Sequence, residues 1–383
     1  MATEQPAGSE VPVVWQGRRV LAFVPALLAE RELPLSASTL TSLATAAAQV
    51  GVGAASMPDD HEPLARLLLR AEGVASSYLE GVAAPLVDVV LAESPSATGD
   101  PAAWVAANLA AVDAAVSEAH DAELSVALLC HWHELLMTGS PLPARYVGTL
   151  RAEQGWIGGS SPVDAALVTP PPDRLEPLMA DLCRYANRDD VDPVAQAAVA
   201  HAQFEVIHPF ADGNGRIGRV LVSWLLTRRL SLVTPPPVSI RMAADRDGYL
   251  SGLTLFRLGQ HEPWIRWFAD AVTGAGRAQQ ALVAQVAELQ AEWHRRLGSV
   301  PGRAVRRDAL VWQVLRLLPR HLVLDADLVA TALDRSPRAA RQGLQQLVEA
   351  GVLAEHRAAA PGRPGRPARL FVAPELLAVA ASR

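Results

Sequence analysis

The stretch HPFADGNGRIGR, residues 208–219, decides how the rest of the chain is read. Beyond it Ile217, Val220, Leu221, Trp224 and Leu225 recur at helical spacing, so a helix begins near Gly215 or Arg216 with that face buried. Asp212-Gly213-Asn214-Gly215 is then its N-terminal loop. Glycines on both sides of an asparagine let the backbone turn tightly and aim successive N–H groups at one point. Together with the positive end of the helix, this suits a phosphate. Arg216 and Arg219 lie three residues apart on nearly one face of the first turn and can grip two neighbouring phosphates. A polyphosphate ligand is implied.

Asp212, beside that anion site, would repel a bare phosphate but can hold a Mg²⁺ that bridges phosphate oxygens. His208 precedes it by four residues, at the end of the preceding helix. An imidazole titrates near neutrality and suits removal of a proton from an attacking hydroxyl.

These residues resemble the Fic family motif, His-x-Phe-x-Asp/Glu-Gly-Asn-Gly-Arg-x-x-Arg, with every defined position filled. The resemblance implies transfer of the AMP moiety of ATP to a protein hydroxyl, by attack on the α-phosphorus with pyrophosphate leaving. It makes His208 the general base, Phe210 the anchor of the loop and Asp212 the Mg²⁺ ligand. Gly213, Asn214 and Gly215 become the anion hole, Arg216 the stabiliser of the leaving phosphates and Arg219 the γ-phosphate ligand.

Upstream, Leu64, Leu68, Ala71, Ala75, Tyr78 and Val82 step by fours and threes, an inward helical stripe that begins after Pro63. At its end Ser76 and Glu80 stand one turn apart and Gly81 closes the helix; by themselves they read as exposed polar residues. Beside the downstream motif, the segment resembles the Fic inhibitory helix, Ser/Thr-x-x-x-Glu-Gly/Asn. That resemblance implies that Glu80 pairs with Arg219, takes the charge partner of the γ-phosphate and holds the enzyme off. The surrounding Glu72 to Gly81 stretch also resembles the N-terminal segment of long bacterial Fic proteins, with Gly73 where alanine is usual. Glycine there is expected to loosen the helix slightly.

Residues 146–172 break the helical pattern with glycine, serine and proline, and short extended runs around Trp156-Ile157-Gly158-Gly159 and Ala166-Leu167-Val168 predict a hairpin. In Fic relatives this place holds a flap that pairs with the target segment as an added strand. Helices are predicted over 100–118 and 124–137, the second carrying His131 and His133. Two histidines two apart point to different faces and lack zinc-helix spacing, so they are expected to be structural or surface residues. Asp192-Pro193 caps a helix that runs through His201, a core or supporting histidine, to His208. After the motif helix, apolar stripes over 249–256 and 264–286 complete a helical body, and a long polar helix reaches about Gly298.

The chain has 383 residues, half of them hydrophobic, enough for a large core and two or three domains. It contains no lysine, which excludes a Walker A lysine, a kinase-type nucleotide lysine and Schiff-base chemistry. Cys130 and Cys183 are isolated and without metal-ligand spacing, which predicts buried thiols. No apolar run reaches membrane-spanning length and no signal pattern opens the chain, so a cytoplasmic protein without membrane contact is expected. The first ten or so residues are polar and expected to be disordered.

From residue 301 onward there are 13 arginines and seven acidic residues, a net +6 in a chain whose total is −6. Helices predicted over 311–318, 326–333 and 337–350 precede an extended run, a Pro/Gly/Arg loop (361–367) and Leu370-Phe371-Val372. This order looks like the winged helix-turn-helix that many long Fic proteins carry. Arg338, Arg341, Arg363, Arg366 and Arg369 could neutralise nucleic-acid phosphates, with Gln342, Gln345 and Gln346 facing bases; the other reading is a protein-docking module.

The sequence therefore predicts a mainly α protein in three parts: an N-terminal helical segment with an inhibitory helix (1–95), a Fic catalytic domain with a β-hairpin flap (96–298) and a winged helix-turn-helix (299–383). The expected activity is adenylylation of a Ser, Thr or Tyr hydroxyl of a target protein, itself included, with ATP and Mg²⁺. A homodimer is a family-level expectation. The alternatives are the same scaffold with another nucleotide donor, phosphorylation or AMP removal, and a DNA-binding regulator that only senses nucleotide.

Overall fold

The computed structural model describes residues 7–93, 100–298, 309–358 and 368–381. A hairpin of β1 (Gly8–Trp15) and β2 (Arg18–Pro25) opens it, followed by α1 (Ala37–Ala55), α2 (Glu62–Leu79), α3 (Leu86–Ala92), α4 (Pro101–Glu118) and α5 (Val126–Met137). A second hairpin, β3 (Trp156–Ile157) and β4 (Leu167–Val168), leads to α6 (Leu175–Ala186), α7 (Pro193–Ile207), α8 (Asn214–Arg229), α9 (Val238–Ala244), α10 (Arg246–Arg257) and α11 (His261–Gly298). The last unit comprises α12 (Leu310–Leu317), β5 (Val323–Leu324), α13 (Ala326–Ala332), α14 (Pro337–Glu349), β6 (Ala354–Ala358), β7 (Ala368–Val372) and α15 (Pro374–Ala381). The molecule is mainly α, with three small antiparallel sheets among the described residues. No helix among them is long and apolar enough to cross a membrane.

Helices α1, α4, α5, α7, α10, α13 and α14 each start on a serine or aspartate whose side chain accepts a first-turn N–H. At the centre lie α7 and α8. Both are buried nearly all round, enclosed by the other helices, α7 through its apolar faces and α8 with Arg216 and Arg219 buried among its apolar residues. Phe204, Ile207, Phe210, Ile217, Leu221, Trp224 and Leu225 anchor the main core, which also takes in Trp132 of α5 and Trp264 and Phe268 of α11.

A second core is built differently. Leu64, Leu67 and Leu68 from the start of α2 and Leu282, Val286, Trp293 and Leu297 from the far half of α11 join Val311, Val314, Leu344, Leu347, Phe371 and Leu376 of the C-terminal unit. Helix α11 has 38 residues, about 57 Å at helical rise, and so serves both cores. In the C-terminal unit the strands lie in the order β5-β7-β6, all antiparallel, beside α12, α13 and α14. Arg363 and Arg366 lie outside the described residues.

Two expectations change. The N-terminal segment is not only helical and its start is not a featureless tail from residue 8 on. Val11, Val13 and Trp15 alternate inward with Val20, Ala22 and Val24. Gln16 and Gly17, at φ 46° and 76°, make the two-residue turn that matches strand twist. Tyr78, placed on the inward stripe of α2, is 43 % exposed, in the last turn of a helix that ends one residue later at Leu79.

Candidate active site

Helix α7 ends at His208, whose φ of 52° puts it in the left-handed region and turns the chain out of the helix. Its N–H still reaches the Phe204 carbonyl at 2.9 Å. The loop that follows is fixed from three directions. The Asn214 carboxamide accepts from the Phe210 N–H at 2.9 Å and donates to the Phe210 carbonyl at 2.8 Å, locking the loop on itself. The Arg151 backbone N–H donates to the Pro209 carbonyl at 2.9 Å and its Nε to the His208 carbonyl at 2.9 Å. Nδ1 of His133 accepts from the Gly148 N–H at 2.9 Å, so Nε2 carries the proton and donates to the Asp212 carbonyl at 3.1 Å. The same ring stacks on Phe210, centroids 4.0 Å apart and planes 6° from parallel.

Gly213 needs to be glycine. Its φ is 77°, and a Cβ there would stand 3.0 Å from Met137 Sδ and 3.1 Å from Leu136 Cδ2. With that turn made, α8 starts at Asn214 and its open N–H groups face the loop.

His208 is largely enclosed. Nδ1 lies 3.3 Å from the Glu205 carbonyl, the one acceptor it faces among the described residues, so Nδ1 holds the proton and Nε2 keeps its lone pair. Burial, assisted by the nearby Arg151 cation, lowers its pKa to about 4 against the pull of that carbonyl. The imidazole is therefore neutral at pH 7 and able to accept a proton.

The two arginines differ. Arg216 is buried, its pKa lowered by that burial, and its Nε has no hydrogen-bond partner among the described residues. A buried donor without an acceptor costs about 1–3 kcal/mol, which an incoming anionic oxygen would recover. Arg219 is engaged on one edge of its guanidinium. Its Nε donates to Ser76 Oγ at 2.9 Å, and its Nη2 to the Ser76 carbonyl at 3.0 Å and to Glu80 Oε1 at 2.7 Å.

Glu80 is placed by the way α2 stops. The Val82 N–H returns to the Ser77 carbonyl and the Gly81 N–H, with φ 77°, to Tyr78, a glycine-terminated helix end. The carboxylate then lies over the first turn of α8, where a side chain on Gly215 would collide with Glu80 Oε1. Burial raises the Glu80 pKa, but Arg219, Arg216 and His208 together outweigh it and the net shift is downward. Farther along α2, Asn108 Nδ2 donates to the Gly73 carbonyl at 2.8 Å and Ser77 Oγ at 3.1 Å. Glu72 accepts the Ser239 N–H at 2.8 Å, and burial pushes its pKa up to about 7. Gly73 has a packing reason as well as a helical cost: a Cβ would sit 2.5 Å from Leu109 Cδ2, so α2 and α4 approach too closely for alanine without Leu109 giving way.

Trp156 pairs with Val168 and Ile157 with Leu167 in the predicted hairpin, and Gly158 and Gly159, both at φ 70°, carry the chain into its tip. Arg151 ties its base to the His208 loop, donating to Thr169 Oγ1 at 2.9 Å and to the Pro170 carbonyl at 2.6 Å. Trp156 meets Trp15 of the N-terminal hairpin edge-on at 6.3 Å.

Asp212 is exposed at the loop surface, and its Oδ1 accepts the Gly213 N–H at 2.6 Å. No group of three or more His, Cys, Asp or Glu side chains converges among the described residues. A cation at Asp212 must therefore complete its shell with substrate oxygens and water, the mode of a nucleotide-borne Mg²⁺.

Of the histidines, His201 is buried with Nε2 2.9 Å from the hydroxyl of Tyr249, itself buried in the core. His133, expected to be structural or at the surface, is structural, and its contact with the His208 loop is what the sequence did not reveal. His133 is buried and holds the loop after His208, whereas His131, two positions before, is exposed.

Residues 123–226 match the model of the Fic/DOC family. The chain is 30% identical over 158 residues to the protein adenylyltransferase fic-1 of Caenorhabditis elegans, a match covering 40% of this chain and 28% of that protein. It is 36% identical over 126 residues to the protein adenylyltransferase Fic of Drosophila melanogaster, covering 32% and 23%. The chain thus spans about a quarter of the length of the curated relatives it matches. The fold is similar to the crystal structure of a Fic family protein from Desulfovibrio desulfuricans, with TM-score 0.53, 22% identity, and 89% of this chain and 97% of that one covered. A Fic domain containing signaling protein from Bacteroides thetaiotaomicron gives TM-score 0.52 at 17% identity, covering 63% and 97%.

Proposed function

We propose that this chain is a Fic-type protein adenylyltransferase held in an inhibited state by Glu80. The observation that carries the reading is the pairing, in one twelve-residue stretch, of a neutral His208 with free Nε2 and a buried Arg216 whose Nε lacks an acceptor. The first is suited to act as a base and the second to bind an anionic oxygen. The Fic/DOC match over the same residues, and the adenylyltransferase activity named for two relatives, support the choice of AMP transfer.

In this reading the target hydroxyl loses its proton to His208 Nε2 as its oxygen attacks the α-phosphorus of ATP. The bond from that phosphorus to the bridging oxygen of the β-phosphate breaks, and pyrophosphate leaves with the electron pair. Arg216 and the N–H groups of Gly213 to Gly215 stabilise the phosphate charge. Asp212 would hold Mg²⁺, which supplies charge neutralisation on the phosphate oxygens. The flap at Trp156 to Gly159 would present the target as an added strand. In this reading Glu80 over Gly215 takes the space an anion needs and pairs with Arg219, so it competes with a γ-phosphate for both room and charge.

The test uses ATP labelled at the α- or the γ-phosphate with wild type, Glu80→Gly and Glu80→Gly/His208→Ala proteins, scoring covalent label. α-Label that is weak in wild type, strong in Glu80→Gly and absent from the double variant is expected. γ-Label instead would mean a kinase, and no label from either would remove the transferase reading.

One observation favours a second activity. The C-terminal unit has the element order expected of a winged helix, α12, α13 and α14 with a three-stranded antiparallel sheet, and Arg338 and Arg341 stand exposed on α14. A nucleotide-sensing DNA-binding regulator would bind duplex DNA in a salt-dependent manner that persists in His208→Ala.

A further inference from the structure

We propose that α2 is a strut shared by two sites, so that the seating of the C-terminal unit on its first half sets the engagement of Glu80 with Arg219 at its end. The inference rests on the inhibited-transferase reading above and names what regulates it.

The first half of α2 belongs to the C-terminal unit. Leu64, Leu67 and Leu68 are buried in the core that the unit forms with α11. Arg70, 5 % exposed, donates through Nη1 to the Arg320 carbonyl at 2.7 Å and forks onto Glu93 with Nε and Nη2 at 2.7 and 2.9 Å. The Arg320 side chain reaches back to Glu62, in the first turn of α2, at 3.1 Å. Removing the unit from this place would uncover three leucines and leave a buried guanidinium short of an acceptor, so the contact is specific and costly to break.

The last turn of the same helix belongs to the active site through Ser76 and Glu80. Leu67 and Glu80 are thirteen residues apart on one chain, about 20 Å at helical rise. No proline or π-bulge interrupts the helix between them, so its ends move as one body. Gly73 against Leu109 and Glu72 on Ser239 hold its middle. Close packing at both ends makes the seated arrangement discrete, and loss of the C-terminal contact lets α2 tilt or slide enough to part a 2.7 Å ion pair.

The experiment uses the full chain and target-independent self-labelling from α-labelled ATP. Arg70→Ala should raise labelling by about two- to thirty-fold over wild type, the range that changes along a coupled element produce. It should add nothing in a Glu80→Gly background, where the brake is already off. Glu62→Arg should raise labelling by a smaller factor, and Glu62→Arg/Arg320→Glu should return it towards wild type, an outcome that general destabilisation does not give. Amide exchange at Ser76 to Leu79 should quicken in Arg70→Ala. If Arg70→Ala does not fold, the charge-reversal pair decides alone. Labelling at the wild-type level in folded Arg70→Ala and in Glu62→Arg, beside strong labelling in Glu80→Gly, overturns the coupling and leaves the transferase standing. A rise that adds to Glu80→Gly overturns it too, since the effect would then bypass Glu80. Absence of label in Glu80→Gly removes the transferase reading and the coupling with it.

Discussion

A base at the end of a helix is useful only if it is neutral, and here burial and a neighbouring cation make it so. Burial and the Arg151 cation favour the neutral form of His208, while the Glu205 carbonyl decides which nitrogen keeps the proton. The sign of the pH dependence follows. A folded-state pKa lowered to about 4 leaves the base form full above about pH 6, and activity is lost as pH falls through the folded pKa. Removing Glu80 takes away a carboxylate that raised that pKa, so Glu80→Gly moves in the same direction. In the Glu80→Gly protein, labelling efficiency at limiting ATP should be flat from about pH 6 to 8 and fall below about pH 5. A midpoint near 6.5 would mean that His208 titrates as an exposed imidazole. At this scale His208, Asp212, Arg216 and Arg219 were legible in the sequence because one local stretch brings them together. His133 was not, since its hydrogen bond to Asp212 spans 79 positions and its stack on Phe210 exists only once α5 packs beside the loop.

Elements were legible where their own residues decide them. The flanks of α7 and α8 are marked by Asp192-Pro193 and by the glycine loop, and their apolar faces fix burial. The 156–168 hairpin showed itself through paired glycines. The N-terminal hairpin did not, because its alternation of valine with polar residues lies next to a polar start and its turn, Gln-Gly, is weaker than an Asn-Gly signal. The loop between α7 and α8 shows what such an element depends on. Gly213→Ala would hold an L-residue at φ 77°, a cost of about 1–2 kcal/mol, and press a methyl against Met137 and Leu136. The fold can bear that, but the loop cannot stay where it is, and a displacement near 1 Å at a reacting centre costs on the order of a hundredfold. Gly213→Ala in the Glu80→Gly background should therefore lose about two orders of magnitude of labelling while its melting temperature falls by only a few degrees. Wild-type turnover in that variant would mean the loop tolerates a shift that its contacts do not allow.

For the whole molecule, the order of helices in the C-terminal unit could be read from caps and apolar spacing, but where the unit sits could not. An apolar stripe such as Leu64, Leu67 and Leu68 says that a face is buried and is silent about what buries it. The charge split, +6 after residue 300 in a chain of −6, points to a separate body, yet the core beneath it is continuous with α2 and α11. These two views differ in what they predict for a change remote from the site. Leu344 of α14 is fully buried in the second core, and Leu344→Ala should cost about 2–5 kcal/mol through lost burial and the cavity left behind. Were the C-terminal unit a bead on a linker, faster amide exchange would stay within its own helices. Because Leu64, Leu67 and Leu68 share that core, exchange along Leu64 to Leu68 should quicken together with α14, while α7 and α8, seated in the main core, keep their protection. Measured by mass spectrometry on the full chain, quickening confined to the C-terminal unit would separate the two bodies and leave α2 anchored by the catalytic core alone.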